Sequence, residues 1–255
     1  MDTARSTVVS AAIGTSARRA DAGSVRLGER DVAGLLLCGE MYGAPYDQLA
    51  AFLSVRPDRL RGIVARWRGA GYAATGRLGP GPAWCWLTRT GLAVTGQRYA
   101  HARPALGRLA HIRAVLAVRL SLQDSDVFRD GRAWWRSERR IRAAAGGHVG
   151  GGHIPDAEVS WPELPASAYA GQCWAIEAEL TPKPLARTAA IMAGLLARTA
   201  DYQPGAPPAG GPRYDRVVYL AAPAARGVVA RAAASVPAGP RARLVIRDLP
   251  EGAVL

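Results

Sequence analysis

Two carboxylates and the chain's only lysine lie close together in the segment WAIEAELTPK, residues 174–183. Apolar and polar side chains alternate through this segment, and successive side chains of a strand point to opposite faces. Glu177, Glu179 and Lys183 therefore share one face of a predicted strand. The plainest interpretation is a half-buried strand whose acidic row faces solvent.

Two further acidic residues are expected to approach this row. Asp156, in HIPDAEVSW, starts the preceding predicted strand, and Glu138, in RSERRI, comes from an earlier helix. Mg²⁺ prefers hard oxygen ligands and is usually held by one or two carboxylates with water and phosphate oxygens. Asp156, Glu177 and Glu179 are therefore candidate Mg²⁺ ligands, and Glu138 is a further candidate catalytic residue.

Lys183 adds a positive charge beside these carboxylates. Pro184 favours an extended Lys183 and suits the first turn of a helix, so the ammonium and the positive helix end would lie together. A metal ion that activates water, with a lysine that stabilises developing charge, is an arrangement that cleaves phosphodiesters. The segment therefore predicts Mg²⁺-dependent phosphodiester cleavage, which on DNA would be the activity of a nickase or nuclease.

A second candidate site lies on a predicted helix in the first half, RPDRLRGIVARWRGAGY, residues 56–72. Its 3.6-residue period places Leu60, Ile63, Val64 and Trp67 on a core stripe and leaves Gly62, Ala65 and Gly69 on a small far face. Arginines border that small face on both sides, as expected of a helix that enters the major groove. The alternative is an exposed face without a ligand. Including the flanks, the candidate DNA-binding residues are Arg56, Arg59, Arg61, Arg66, Arg68 and Arg77.

The surrounding pattern predicts the elements that hold both sites. Three short helices precede two strand-like pieces around GRLGPGP, which is the order of a winged helix-turn-helix. The second half alternates strands and helices, which favours a mixed sheet with helices packed against it. We expect a flexible arm over 1–27, a winged helix-turn-helix domain over 28–100, a helical connector over 101–125 and an α/β domain over 126–255.

The excess of basic residues indicates which kind of partner the protein binds. Lys and Arg number 33 against 20 acidic residues, and residues 1–125 carry 17 Arg against 8 acidic residues. A positive field in the first half favours double-stranded DNA as the partner. No apolar run is long enough to span a bilayer and no signal peptide is evident, so we expect a cytoplasmic protein. Binding to a membrane surface is disfavoured because the basic helices lack a broad exposed apolar face.

The remaining metal-binding residue types give weaker signals. Cys38, Cys85 and Cys173 are too scattered for a disulfide framework or a Cys-x-x-Cys site. The four histidines, His101, His111, His148 and His153, include no His-x-His pair, so a relaxase metal cradle is not predicted. His111 is expected to be packed and hydrogen-bonded, and the pair His148 and His153 is either exposed or a functional element near Asp156.

Six motifs follow one another along the chain: WCWLT, LAHIRAVLAVRL, WRSERRI, HIPDAEV, WAIEAELTPK and YDRVVYLAAP. Their order resembles the replication-relaxation family of bacterial plasmids and integrative conjugative elements, over about residues 30–235. The resemblance implies a PD-(D/E)xK restriction-endonuclease-like fold for the second half, with Asp156 as the aspartate of PD and Glu177 as the following acid. The sequence departs from the motif because Glu179 occupies the lysine position and Lys183 follows four residues later.

Two functions from different classes remain open at this point. One is a DNA-processing enzyme of a mobile element that acts in plasmid replication, relaxation or transfer. The other is a non-catalytic winged-helix replication or transcription factor with a vestigial nuclease fold. Plasmid replication or transfer proteins are candidate partners, and a homodimer is expected only by analogy with other winged-helix proteins.

Overall fold

The chain is a mixture of helices and strands, as the sequence predicts, and the strands form two sheets. The computed structural model describes residues 26–123, 133–144, 153–163, 169–199 and 213–253. Most of the predicted arm, the Gly/Pro-rich segments 146–152 and 203–212, and His148 lie outside these described residues. No described helix combines the length and apolarity needed to cross a bilayer.

The first half contains a three-stranded antiparallel sheet of order β1-β3-β2. Its elements are α1 (Glu29–Glu40), β1 (Ala44–Pro45), α2 (Tyr46–Phe52), α3 (Pro57–Gly69), β2 (Ala73–Gly76), β3 (Trp84–Leu87) and α4 (Arg89–Val94). The predicted succession of three helices and a hairpin is confirmed. Pro57 starts α3 because its fixed φ suits the first helical position and its missing N–H has no partner to lose there.

A long helix, α5 (Leu109–Gln123), follows a short 3₁₀ turn at Leu106–Arg108. It packs on α2 on one side and on a strand of the second half on the other. Its middle is buried almost all round, from Ile112 to Val118. The predicted connector is therefore part of the hydrophobic core, whereas Leu106, in the 3₁₀ turn before α5, is 65% exposed.

The second half forms a five-stranded mixed sheet of order β4-β5-β6-β7-β8. Its elements are β4 (Trp134–Ser137), α6 (Glu138–Ala144), β5 (Ala157–Ser160), β6 (Cys173–Glu179), α7 (Leu185–Ala197), β7 (Arg216–Ala221), α8 (Pro223–Ala234), α9 (Ala238–Arg241) and β8 (Leu244–Asp248). The pairings β4–β5 and β5–β6 are antiparallel, and β6–β7 and β7–β8 are parallel. Parallel neighbours need a crossover, and α7 and α8 supply the two crossovers.

Two hydrophobic clusters cover the two faces of this sheet. One extends from Leu35 of α1 through Leu116 of α5 to Val218 of β7, so it joins both halves of the chain. The other lies between the opposite face and the crossover helices, with Met192 and Val229 among its members. Most residues of the central strands β6 and β7 are consequently buried. The predicted domain boundaries stay predictions.

Candidate functional site

The exposed side of α3 has the small, arginine-bordered surface that the sequence predicts. Leu60, Ile63, Val64 and Trp67 are all buried, which confirms the predicted core stripe. The opposite surface, here called the α3 face, consists of exposed residues: Arg59, Arg61, Gly62, Ala65, Arg66, Arg68 and Gly69. Burial of the stripe fixes the rotation of the helix and so determines which side chains face outward.

The arginines of the α3 face differ in how their charges are compensated. Arg66 donates to Oδ1 of Asp31 in α1 at 3.0 Å, and the same oxygen accepts from the Trp67 indole at 2.8 Å. Arg61 forms an ion pair with Asp58 one turn earlier. Within the described part of the chain, Arg59 and Arg68 form no ion pair. These two guanidinium groups are therefore the most available to an external anion.

Gly62 lies in the α3 face, and packing against the described residues does not require a glycine there. A glycine in a helix interior is about 1 kcal/mol less favourable than alanine. A Cβ built on Gly62 would meet no atom within 4 Å, so close packing does not require glycine there. An approaching ligand surface is one reason for a helix to have no side chain at this point.

Arg56 and Arg77 flank this surface. Arg56 is the N-cap residue of α3, and Arg77 directly follows β2 in the turn that leads to β3. Both are exposed, and neither has an ion-pair partner among the residues that the structure describes. Their contact with DNA stays a prediction.

The second site is built around Asp156, which directly precedes β5. Its Oδ2 accepts the backbone N–H of Ala178 in β6 at 2.9 Å, and its Oδ1 lies 2.8 Å from Nε2 of His111 in α5. Its backbone carbonyl accepts the N–H of Glu138 at 2.9 Å. Asp156 thus links α5, α6 and β6, and the expected hydrogen bonding of His111 is confirmed.

Glu177 and Glu179 are buried, so the interpretation of an acidic row facing solvent is wrong. Their exposed fractions are 4% and 5%. They lie on the same face of the sheet as Ala175, which packs in the cluster beneath α7 and α8. The alternating pattern alone could not reveal this, because it does not show that parallel pairing brings crossover helices over the polar face.

Each of the three carboxylates has a basic partner within hydrogen-bonding distance. Besides the pair of Asp156 and His111, Glu177 Oε1 lies 2.7 Å from His153 Nε2, and Glu179 Oε2 lies 2.6 Å from Lys183 Nζ. We call these six residues the acid–base cluster: Asp156, Glu177, Glu179, His111, His153 and Lys183. His153 contacts Glu177 of the acidic strand while the residue stays exposed, and a functional role for it stays a prediction.

Burial shifts the proton affinities in this cluster. Burial and the Asp156 charge raise the pKa of Glu177 to about 7, although His153 and Lys183 oppose the shift. The hydrogen bond to Glu177 raises the pKa of His153 against the effect of burial. Burial lowers the pKa of His111, but its hydrogen bond to Asp156 and the charge of Asp156 give a net increase. The cluster therefore retains protons toward neutral pH.

Tyr219 belongs to this region but gave no signal in the sequence. It pairs with Glu177 across the parallel β6–β7 ladder and is 1% exposed. Burial and the charges of Glu177, Glu179 and Asp156 raise its pKa well above the ordinary range. Its hydroxyl has no hydrogen-bond partner in the described residues. The sheet register, which periodicity cannot predict, is what brings it to the carboxylates.

Glu138 points its carboxylate toward arginines. Its two oxygens lie 2.6 Å from Arg108 and 2.7 Å from Arg142. Burial raises the pKa of Glu138, but these two guanidinium groups outweigh it and the net shift is downward. A catalytic role for Glu138 stays a prediction.

The carboxylates do not form a ready ion site as they are arranged. Both Asp156 oxygens already have hydrogen-bonding partners, and Glu177 and Glu179 are each paired with a base. Across the described residues, no three His, Cys, Asp or Glu side chains converge as metal ligands would. Carboxylate oxygens are ligands that Mg²⁺ prefers. Here His111, His153 and Lys183 pair with these carboxylates and supply the positive charge that a bound Mg²⁺ would supply.

Comparison with known proteins adds no assignment to this geometry. Neither a protein-family model nor a curated protein matches the chain. The relationship to the replication-relaxation family therefore stays a prediction from the order of the motifs.

Proposed function

We propose that the chain is a DNA-binding protein that places α3 against double-stranded DNA. The observation that carries this proposal is the α3 face: Arg59 and Arg68 form no ion pair among the described residues, and Gly62, between them, has open space where a side chain would be. Arginines at the rim can meet phosphates while a small surface lets the helix axis approach the bases.

The arrangement around α3 supports a winged-helix interpretation. The order of elements is helix, strand, two helices and a two-stranded hairpin, and β3 lies between β1 and β2 in the small sheet. In helix-turn-helix proteins the second helix of the motif enters the major groove. By this interpretation α3 is the recognition helix, and the β2–β3 turn with Arg77 is the wing.

The test is duplex binding by the full chain carrying Arg59→Gln together with Arg68→Gln. We expect weaker binding and a shallower salt dependence, because each phosphate that the variant no longer neutralises lowers the log–log slope by about 0.9. Fluorescence anisotropy with a labelled duplex across about 50 to 200 mM salt measures both quantities.

The matched control is Arg231→Gln with Arg241→Gln, which removes the same charge from exposed positions of α8 and α9. Equally weakened binding in both double variants would mean that net charge, and not the α3 face, determines affinity. Such a result would reject the proposal.

Phosphodiester cleavage at the acid–base cluster is a second candidate function. The mixed sheet is consistent with it, because the nuclease resemblance implies an α/β domain with a mixed sheet. A buried Glu177 with a pKa of about 7 also suits a general base near neutral pH. Participation of Mg²⁺ and action in plasmid replication, relaxation or transfer stay predictions.

The decisive assay is conversion of supercoiled DNA to its nicked form, with and without Mg²⁺ or Mn²⁺. Cleavage by the intact protein that Glu177→Gln removes without weakening duplex binding would establish the enzyme. Absence of cleavage under both metals would leave the non-catalytic DNA-binding protein.

A further inference from the structure

A pocket of about 270 Å³ lies on the face of the large sheet opposite to the acid–base cluster. Its floor is formed by β6, β7 and β8, and α5 forms one side; the lining includes Ser121, Tyr169, Trp174, Arg216, Val245 and Arg247. Among the described residues, helix α5 packs on β6 and leaves part of the neighbouring strands uncovered, and Leu220 and Val245 are only partly buried. The pocket volume is near the lower end of small-molecule sites, which span about 300 to 1,000 Å³.

Aromatic rings line one end of the pocket. Trp174 meets Trp161 with ring centroids 5.1 Å apart and Tyr169 with centroids 4.9 Å apart, at interplanar angles of 61° and 79°. The Trp174 indole N–H donates to Gln172 at 2.8 Å, which fixes the orientation of the ring. The cluster therefore holds a large, pre-oriented aromatic surface beside an open volume.

Two arginines give the pocket a positive charge. The Arg216 guanidinium carbon lies 5.4 Å from the Trp174 ring centroid and 5.9 Å from that of Tyr169. Arg247 belongs to the neighbouring strand β8, where it pairs with Leu220 of β7, and its side chain lines the same pocket. No acidic residue is among the described lining residues, and neither arginine forms an ion pair within the described part of the chain.

We infer that this pocket binds a nucleotide by stacking its base on the aromatic cluster and pairing its phosphate with Arg216 and Arg247. Stacking on an aromatic ring accepts any base, because every base has a π face. Guanidinium groups are well suited to bind phosphate and also stack on planar rings. The ligand is therefore a base with an attached phosphate, either a free nucleotide or an unpaired nucleotide of a DNA strand.

The inference does not depend on the α3 face, which contacts paired DNA in the proposal above. The two sites can be separated because one needs a duplex and the other an accessible base. Arg59→Gln with Arg68→Gln should therefore leave binding of a mononucleotide unchanged.

The experiment compares three probes on the full chain: a labelled oligothymidylate, an abasic oligonucleotide of the same length, and thymidine monophosphate as competitor. We expect the oligothymidylate to bind more tightly than the abasic strand. Trp174→Leu should weaken oligothymidylate binding about tenfold and leave the abasic strand unaffected, because only the base is deprived of its stacking surface. Arg216→Gln should weaken both strands.

Control variants outside the pocket show whether a loss of affinity is specific to it. Trp134→Leu removes a 69% exposed tryptophan of β4, and Arg231→Gln removes an exposed charge of α8; both should bind as the wild type does. Trp174→Phe retains a ring and should retain most of the affinity, which separates an effect on stacking from an effect on folding.

Competition by thymidine monophosphate would identify a free nucleotide as a ligand, and its failure beside tight oligothymidylate binding would identify an unpaired nucleotide of a strand. Equal affinity for the two strands would overturn the inference. So would an equal reduction of affinity in Trp174→Leu and Trp134→Leu.

Discussion

The α3 face and the acid–base cluster differ in how their charges are compensated. On the α3 face, Arg59 and Arg68 stand on an exposed helix and form no ion pair with described residues. In the cluster, all three carboxylates are held by bases 2.6 to 2.8 Å away. A buried charge needs a partner within the fold because it has lost its hydration, whereas an exposed charge stays hydrated and can bind an external ion.

This difference separates what each region can do. The exposed arginines gain energy when they meet a polyanion, because binding releases the counterions around the phosphates. The cluster already contains its own counter-charges, so an added ion or phosphate must first displace a base. The comparison favours binding at α3 and makes any chemistry at the cluster conditional on opening those pairs.

The largest expected effect comes from breaking the cluster at its centre. Asp156→Ala removes the acceptor of the Ala178 N–H and the partner of His111. Hydrogen bonds to charged groups contribute about 1.5 to 3 kcal/mol each, so we expect the free energy of unfolding to fall by about 3 kcal/mol or more. Urea denaturation followed by circular dichroism measures this change.

The corresponding break on α3 should cost little. Asp58→Ala removes an ion pair whose two side chains are 65% and 74% exposed, and such surface pairs contribute about 0 to 1 kcal/mol. If both alanine variants were destabilised by similar amounts, the contrast between a buried and an exposed ion pair would be wrong.

A pH titration should give the next largest effect. Glu177 has a pKa of about 7 in the folded protein, above its ordinary value of 4.5, so the folded state binds more protons between these values. Stability must then fall as the pH rises through that window. The raised pKa of His153 acts in the same direction at higher pH, because its contribution is complete below about pH 6.5 and is lost as the folded imidazolium deprotonates. We expect a decrease of about 1 to 2 kcal/mol between about pH 5 and 7.

Glu177→Gln keeps the shape of the side chain and removes its titration, so its unfolding free energy should depend less on pH than that of the wild type. Glu163→Gln makes the same change at an exposed position and should leave the pH dependence intact. Parallel curves for the wild type and Glu177→Gln would show that the cluster does not hold the extra proton.

The fold was largely accessible to sequence reasoning because local periodicity dominates it. The 3.6-residue spacing of Leu60, Ile63, Val64 and Trp67 determined the buried side of α3, and alternation in β6 located the strand. The predicted alternation of strands and helices in the second half is confirmed, and it forms a five-stranded mixed sheet with helices packed against it.

The candidate site was less accessible, because most of its contacts are long-range. His111 reaches Asp156 across 45 residues, and His153 reaches Glu177 across 24. Tyr219 enters only through the β6–β7 register. Periodicity predicts which side of an element faces inward but not which partner it meets there, and so the carboxylates could be named from the sequence while the pairing of each with its base could not.

The smallest expected effect tests α3 most directly. Gly62→Ala adds a methyl group that meets no atom within 4 Å, so the variant should gain up to about 1 kcal/mol of stability from higher helix propensity. If DNA lies against this surface, the same methyl group stands between the helix and the base edges, and duplex affinity should fall although the protein is more stable.

Opposite signs for stability and binding are what distinguish a ligand surface from a solvated helix face. Gly227→Ala is the matched control, because Gly227 is an exposed glycine within α8 whose added Cβ would make only an ordinary contact with Arg231 at 3.6 Å. It should gain similar stability and bind duplex DNA as the wild type does. A Gly62→Ala variant that is stabilised and binds with unchanged affinity would mean that nothing approaches α3 closely at this point, and the recognition helix would have to be sought elsewhere.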